Sequence, residues 1–309
     1  MREKYLTMKN TLVKEHDYPP FILFLASIFI ILIVCAFPAN ATDSIKILKP
    51  ILGFDKRAQH KDEVIIRSLE ITEAEFGPFT FEAVNVDMTP SRALASIKTG
   101  NLINTFIAPA SDVWDKSAIP IKVPIRQGLL SYRLLLINKQ DLTKYKGVQT
   151  LDELNQLTAG LQHGWITTKI FKELEMNMIT GHNFEGLFLM LNKHRFNYLP
   201  RAIYEIYDEF ESRKEQLNNV IIEPTLALYL PMVTYVYVSP TEPLIAKRIN
   251  AGLRKLVATG ELTEILNKYY EKDIQKANLS NRHIIKINNP YFDDKAVLND
   301  KTLWFQHND

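Results

Sequence analysis

A β-α alternation that runs, breaks and runs again is the feature that most narrows the folds open to this chain. Ser44 to Ile51 reads as a strand. Lys56 to Glu75 follows with Val64, Ile65, Leu69 and Ile71 on one side of a helix, and Gly77-Pro78 stops it. Phe79 to Val86 alternates as a strand does. Thr89-Pro90 suits a helix entry, that helix carries Ala93, Leu94 and Ile97 to Gly100, and Ile103 to Ala108 is again apolar and extended. Residues 44–110 therefore read β-α-β-α-β, a sheet covered by helices.

The stretch 111–128 is irregular, and Gly128 to Asn138 is a long apolar strand. Thr150 to Glu153 has the T-x-x-E form of a capping box. A second α/β unit then covers roughly 139–231. Its strands are predicted at Thr158–Gln162, Met178–Thr180 and Phe196–Leu199, and its helices at Thr167–Met176, after Asn183, and over Ala202–Leu217. Val220 to Leu230 is apolar and extended. The last block is a strand, Thr234–Val238, a helix that Thr241 is expected to cap, a break at Gly260, and a helix from Glu261 to about Lys276. With no sheet of its own, this block must bury its apolar face on an existing lobe, most economically the first. The predicted fold is α/β, with lobe one over 42–133, lobe two over 134–233, and 234–309 returning to lobe one and ending in an extension. The chain then crosses between lobes twice, which makes a hinge with a cleft between the lobes.

Charge and cysteine usage bear on compartment and partner. Phe21 to Phe37 is an uncharged apolar stretch, preceded by Arg2, Lys4, Lys9 and Lys14 and followed by Pro38-Ala39-Asn40-Ala41. That is the form of a secretory signal peptide, so residues 1–41 are expected to be removed and the protein to lie in the periplasm; retained, the stretch would tether it to the membrane. Met8 is an alternative start. Cys35 is the sole cysteine and falls inside the stretch, after Val34, where a lipid-modified cysteine wants a small residue. A disulfide and a CxxC zinc site are thereby excluded. The 37 basic and 35 acidic residues nearly cancel, so no broad basic field exists for nucleic acid.

Several local motifs share an order with one known family. The run Ala258-Thr259-Gly260-Glu261-Leu262 to Tyr269-Tyr270 resembles the C-terminal pattern of the periplasmic solute-binding proteins of family 3, the amino-acid-binding type. Pro124-Ile125-Arg126, then Gly128 to Arg133, Gly164-Trp165, Met190-Leu191, Arg195 to Arg201 and Glu205 resemble a divergent branch of it. The resemblance covers about residues 45–290. It implies a two-lobed type II periplasmic-binding fold with two hinge crossovers, a monomer, and capture of a small polar ligand for an ABC-type permease. One departure matters. The family's Thr-x-x-Arg turn, whose Arg holds a ligand carboxylate, is here Ser111-Asp112-Val113-Trp114. That puts an α-amino-acid ligand in doubt and leaves Arg126 as the nearest substitute in lobe one.

Candidate ligand residues follow from where α/β lobes bind, at strand C-termini and helix N-termini. Trp165, Thr167 and Thr168 sit between a strand and a helix start, where free N–H groups and hydroxyls suit a carboxylate or phosphate. Thr167 serves equally as a cap for its own helix, and Trp165 as core. Arg201 offers a fork for a carboxylate, and Glu205 could take an ammonium group or pair with Arg201. Asp55 and Arg57 follow the first strand, at the cleft mouth or in a solvated loop. Arg126 completes the set. The seven histidines show no metal spacing, no G-x-S-x-G elbow is present, and no cysteine remains as nucleophile. No metal, cofactor or catalytic residue is expected. His163, beside the Gly164 loop, is the one cleft candidate for a base, and a small-molecule lyase on this fold is the enzyme alternative. A sensing module for a membrane receptor is the other.

Overall fold

The computed structural model describes residues 42–48, 55–86 and 88–306. The expected signal segment and Cys35 lie outside the described residues. Among those described, no helix is long and apolar enough to cross a membrane.

In chain order the strands are β1 (Asp43–Leu48), β2 (Phe79–Val84), β3 (Thr105–Pro109), β4 (Ile119–Ile121), β5 (Tyr132–Asn138), β6 (Ala159–Gln162), β7 (Met178–Gly181), β8 (Tyr198–Ala202), β9 (Val220–Ile222), β10 (Leu226–Tyr229), β11 (Thr234–Val238) and β12 (His283–Lys286). The helices are α1 (Lys56–Glu70), α2 (Glu73–Phe76), α3 (Pro90–Thr99), α4 (Asp112–Asp115), α5 (Leu151–Leu154), α6 (Ile166–Glu173), α7 (Phe184–Asn192), α8 (Ile203–Glu211), α9 (Pro243–Thr259), α10 (Glu261–Ala277) and α11 (Lys295–Asn299).

Two separate apolar cores define two lobes. Lobe one gathers Ile45, Val64, Ile97, Val236, Ile249 and their neighbours. Its strands form a parallel pair β1-β2 and an antiparallel trio β3-β11-β4. Asn104 joins the two pieces by standing in for strand backbone. Its side chain accepts from Lys46 N at 2.8 Å and donates to Ser44 O at 2.6 Å, while its own N–H reaches Lys46 O at 3.1 Å. Arg248 of α9 is fully buried behind this sheet and is satisfied there by Asp43 Oδ2 at 2.9 Å, Leu69 O at 3.0 Å and Thr72 Oγ1 at 3.3 Å.

Lobe two is one mixed sheet in the order β12-β10-β5-β8-β6-β7, with β9 also on β5. Its core includes Leu134, Leu136, Phe171, Phe188, Tyr198 and Ile206. The T-x-x-E capping box forms, with Thr150 and Glu153 each satisfying the other's backbone N–H. Asn183 caps α7 by accepting from Gly186 N at 2.9 Å. We expect Asn183→Ala to lower stability by about 1 kcal/mol, the usual value of such a cap. Thermal unfolding checks this, and an unchanged midpoint would show that the helix does not depend on this cap.

Several boundaries differ from the sequence reading, each for a local reason. The long strand predicted from Gly128 begins only at Tyr132. Gly128 takes a left-handed φ of 73°, and Leu129–Ser131 form a 3-10 turn. Thr241 does not cap α9; its hydroxyl lies 2.9 Å from Ser239 Oγ, and the helix starts at Pro243. The helix predicted over Ala202–Leu217 ends at Glu211.

The two crossings are bonded to each other where they pass, the first through its 3-10 turn. Ser131 Oγ donates to Met232 O at 2.9 Å and accepts from Met232 N at 3.0 Å. The chain after 234, expected to return to lobe one and end in an extension, touches both lobes on its way. α10 bridges the lobes, with Leu262 and Ile265 in one core and Leu266 and Tyr270 in the other. β12 then pairs in parallel with β10 of lobe two, Leu226 opposite His283. Only afterwards do Phe292, Val297 and Leu303 return to the lobe-one core. An apolar stripe longer than one lobe, followed by an exposed sheet edge, accounts for that route.

Candidate functional site

The cleft between the lobes holds a cavity of about 830 Å³. Lobe one contributes Leu94, Pro109 and Ser111 to Trp114, and lobe two contributes Gln162 to Lys169, Phe184, Arg201 and Glu205. A second chamber of about 570 Å³ adjoins it and shares Arg57, Pro109, Leu130 and Glu205 with it. Six of the residues singled out from sequence line the larger space: Arg57, Trp165, Thr167, Thr168, Arg201 and Glu205. Asp55 and Arg126 line the smaller.

What each can still bind depends on what already holds it. Asp55 caps α1 through Arg57 N at 2.9 Å and pairs with Arg57 Nη2 at 2.8 Å. Burial alone would raise the Asp55 carboxyl, but the hydrogen bonds and charge of Arg57 hold it below the ordinary aspartate value. Arg57 also reaches across the cleft base to Glu209 Oε1 at 3.3 Å. Thr168 Oγ1 is spent on Gln162 O at 2.7 Å. Trp165 is half buried, with the Arg201 guanidinium 4.7 Å from its ring.

Arg201, expected as an open fork, is not open. Its Nε and Nη2 bind Glu209 at 2.5 and 2.6 Å, and Nη2 lies 3.0 Å from Glu205. Glu205 also accepts from Ala202 N at 3.1 Å. Its burial raises the carboxyl's pKa, but Arg201, Arg133 and Arg57 together hold it below the ordinary glutamate value. Glu209 escaped sequence reading, although the 205, 209 spacing puts both carboxylates on one face of α8, on successive turns after Arg201. Arg126 is held more loosely, by Arg57 O at 3.1 Å and Tyr270 Oη at 3.4 Å, with Tyr204 beneath it at 5.1 Å.

The residue that sequence reasoning missed is Arg133. It is the second residue of β5, lines the larger cavity, and is 4% exposed. Its one hydrogen bond runs from Nη2 to the Met232 sulfur at 3.4 Å, and Nε has no partner. The other buried side-chain atoms without a partner, among the described residues, belong to His60, Tyr198, Tyr207 and Tyr235. Burial and the nearby Arg126 push His60 well below the ordinary histidine value, so it too is neutral. Arg133 is therefore the one buried arginine of the group without a hydrogen-bonded oxygen, with Glu205 and Glu209 acting on its charge only from farther off. A lone guanidinium in the apolar run YRLLLIN was the available signal.

His163 lines the cavity, with its ring 4.9 Å from that of His182. Among the described residues no cluster of His, Cys, Asp and Glu could hold a metal ion.

No protein-family model matches this sequence, and no curated protein does. Solved structures of similar shape exist. The amino acid ABC transporter substrate-binding protein AbpA from Streptococcus pneumoniae, solved with L-arginine, is 16% identical over 77% of this chain and 98% of its own, with a TM-score of 0.49. An ancestral arginine-binding protein bound to arginine is 14% identical over 74% of this chain and 96% of its own, with a TM-score of 0.49. A mutant of ArgBP from T. maritima is 13% identical over 75% of this chain and 96% of its own, with a TM-score of 0.48. Two cores, the strand order and the cleft between the cores make the chain a two-lobed α/β clamp.

Proposed function

We propose that this protein captures a small polar ligand, amino-acid-like or a small organic anion, between its lobes and delivers it to an ABC-type permease. One observation carries the reading: the larger cavity is walled by both lobes, and the two segments that join the lobes are bonded to each other beside it, Ser131 to Met232. Ligand held by one lobe completes its polar contacts on the other, so the closed state gains by its greater affinity. The role is binding without turnover, and the protein acts on the outer side of the cytoplasmic membrane as a monomer.

The test is thermal unfolding of the exported protein against amino acids, organic acids, peptides and polyamines. A ligand at 100 times its dissociation constant adds about 2.7 kcal/mol of stability. A shift confined to one chemical class supports capture. A flat response across all four removes it and favours a sensor whose partner is another protein.

A further inference from the structure

We propose that Arg133 is the anion anchor of this cleft, and that the ligand is an organic carboxylate with an apolar body and no required amino group. This rests on the capture reading above and names its ligand class.

A buried guanidinium is stable only with acceptors around it. Three of the four arginines buried among the described residues have them. Arg248 bonds oxygens of lobe one, Arg201 bonds two glutamates, and Arg126 bonds a carbonyl and a phenol. Arg133 has only a thioether, a weak acceptor. Burial lowers its pKa from the ordinary arginine value, against the opposing pull of Glu205. A second donor turns to the same sulfur: Thr167 Oγ1 lies 4.0 Å from Met232 Sδ. Thr167 stands in the first turn of α6, whose N-terminus has no side-chain cap. The first N–H groups of that helix therefore lack intrahelical acceptors. A strong donor and a hydroxyl converge on one soft atom, and the uncapped first turn of α6 lines the same cavity, the arrangement a carboxylate fills.

The rest of the cavity decides what the carboxylate is attached to. Its cations are Arg57, Arg133, Lys169, Lys172 and Arg201; its carboxylates are Asp112 and Glu205. Glu205 is engaged by Arg201 and Ala202 N, and Asp112 lies on the exposed rim, 3.8 Å from Lys116. No carboxylate stands unpaired inside to receive an ammonium. The facing walls are instead apolar, Leu94, Val113 and Trp114 against Trp165 and Phe184. Val113 is 56% exposed, so a ligand would cover apolar surface now in water.

The test is calorimetric titration of the full exported protein with 3-phenylpropionate, its neutral amide 3-phenylpropionamide, and L-arginine. We expect 3-phenylpropionate to bind, and the amide and L-arginine to bind at least tenfold more weakly. In Arg133→Met, affinity for 3-phenylpropionate should fall at least tenfold, while the ligand-free protein melts at the same or a higher temperature, because a buried charge without a hydrogen-bonded oxygen has gone. A lower melting temperature in Arg133→Met would make Arg133 a structural residue and overturn the proposal. So would equal binding of acid and amide. Preferential binding of L-arginine overturns the ligand class and leaves capture standing. No binding of any of the three, together with a flat metabolite panel, sinks both.

Discussion

Arg201→Ala is expected to destabilise the protein by roughly 3–5 kcal/mol, as removal of one partner from a buried ion pair does. Glu209 is 6% exposed and takes two hydrogen bonds from Arg201. Without the guanidinium, its charge stays in the interior, and the desolvation penalty is no longer offset. Arg57 Nη1, 3.3 Å from Glu209, supplies part of the missing charge, which puts the expected loss at the lower end of that range. Urea unfolding of the variant measures it. The double variant Arg201→Met/Glu209→Leu should recover much of the loss, because apolar residues of similar volume replace a buried pair at little net cost. A single-variant loss below about 1 kcal/mol would mean that Arg57 and water suffice for Glu209. Arg201 would then be free to contact ligand, as its position at the end of β8 first suggests.

Gly252→Ala should cost about 3 kcal/mol or more, beyond the usual range for a single added methyl in a packed core. A Cβ at Gly252 would lie 2.0 Å from Ser68 O and 2.6 Å from Ser68 C. Those are backbone atoms of α1, and Ser68 is itself buried and bonded to Ile65 O at 2.7 Å. Neither helix can yield by turning a side chain; α1 and α9 must separate. Separation also weakens the Arg248 bonds to Leu69 O and Thr72 Oγ1, which tie the same two helices. Gly186→Ala is the matched control. A Cβ there meets only Asn183 atoms, at 3.6 Å or more, so alanine should hold stability or raise it by about 0.5–1 kcal/mol. Equal melting temperatures for the two variants would mean that the α1–α9 crossing is loose.

The parts of the molecule that could be read in advance are those governed by short-range chemistry. Thr89, Thr150 and Asn183 cap the helices they were expected to cap, because an N-cap needs only its own side chain and an N–H two or three residues on. Thr241 looked equivalent and was not, since Ser239 had already taken its hydroxyl. β12 went unread because four residues ending on a polar loop carry little periodic signal. It forms only because β10 leaves an edge to pair with.

The amino-acid sequence by itself determined two helix-covered α/β units, the crossings between them, and the neighbourhood of the cleft. Period, caps and breakers act over a few residues and survive without knowledge of the partner surface. Only the tertiary structure decided which arginine is open. Arg201 lies near the end of its strand and Arg133 near the start of its own, each beside apolar residues. One is closed by Glu209, which the first turns of α8 bring back onto it, and the other rests against a methionine sulfur. Whether a buried charge is satisfied depends on atoms brought together from distant parts of the chain, and no local pattern records that distance.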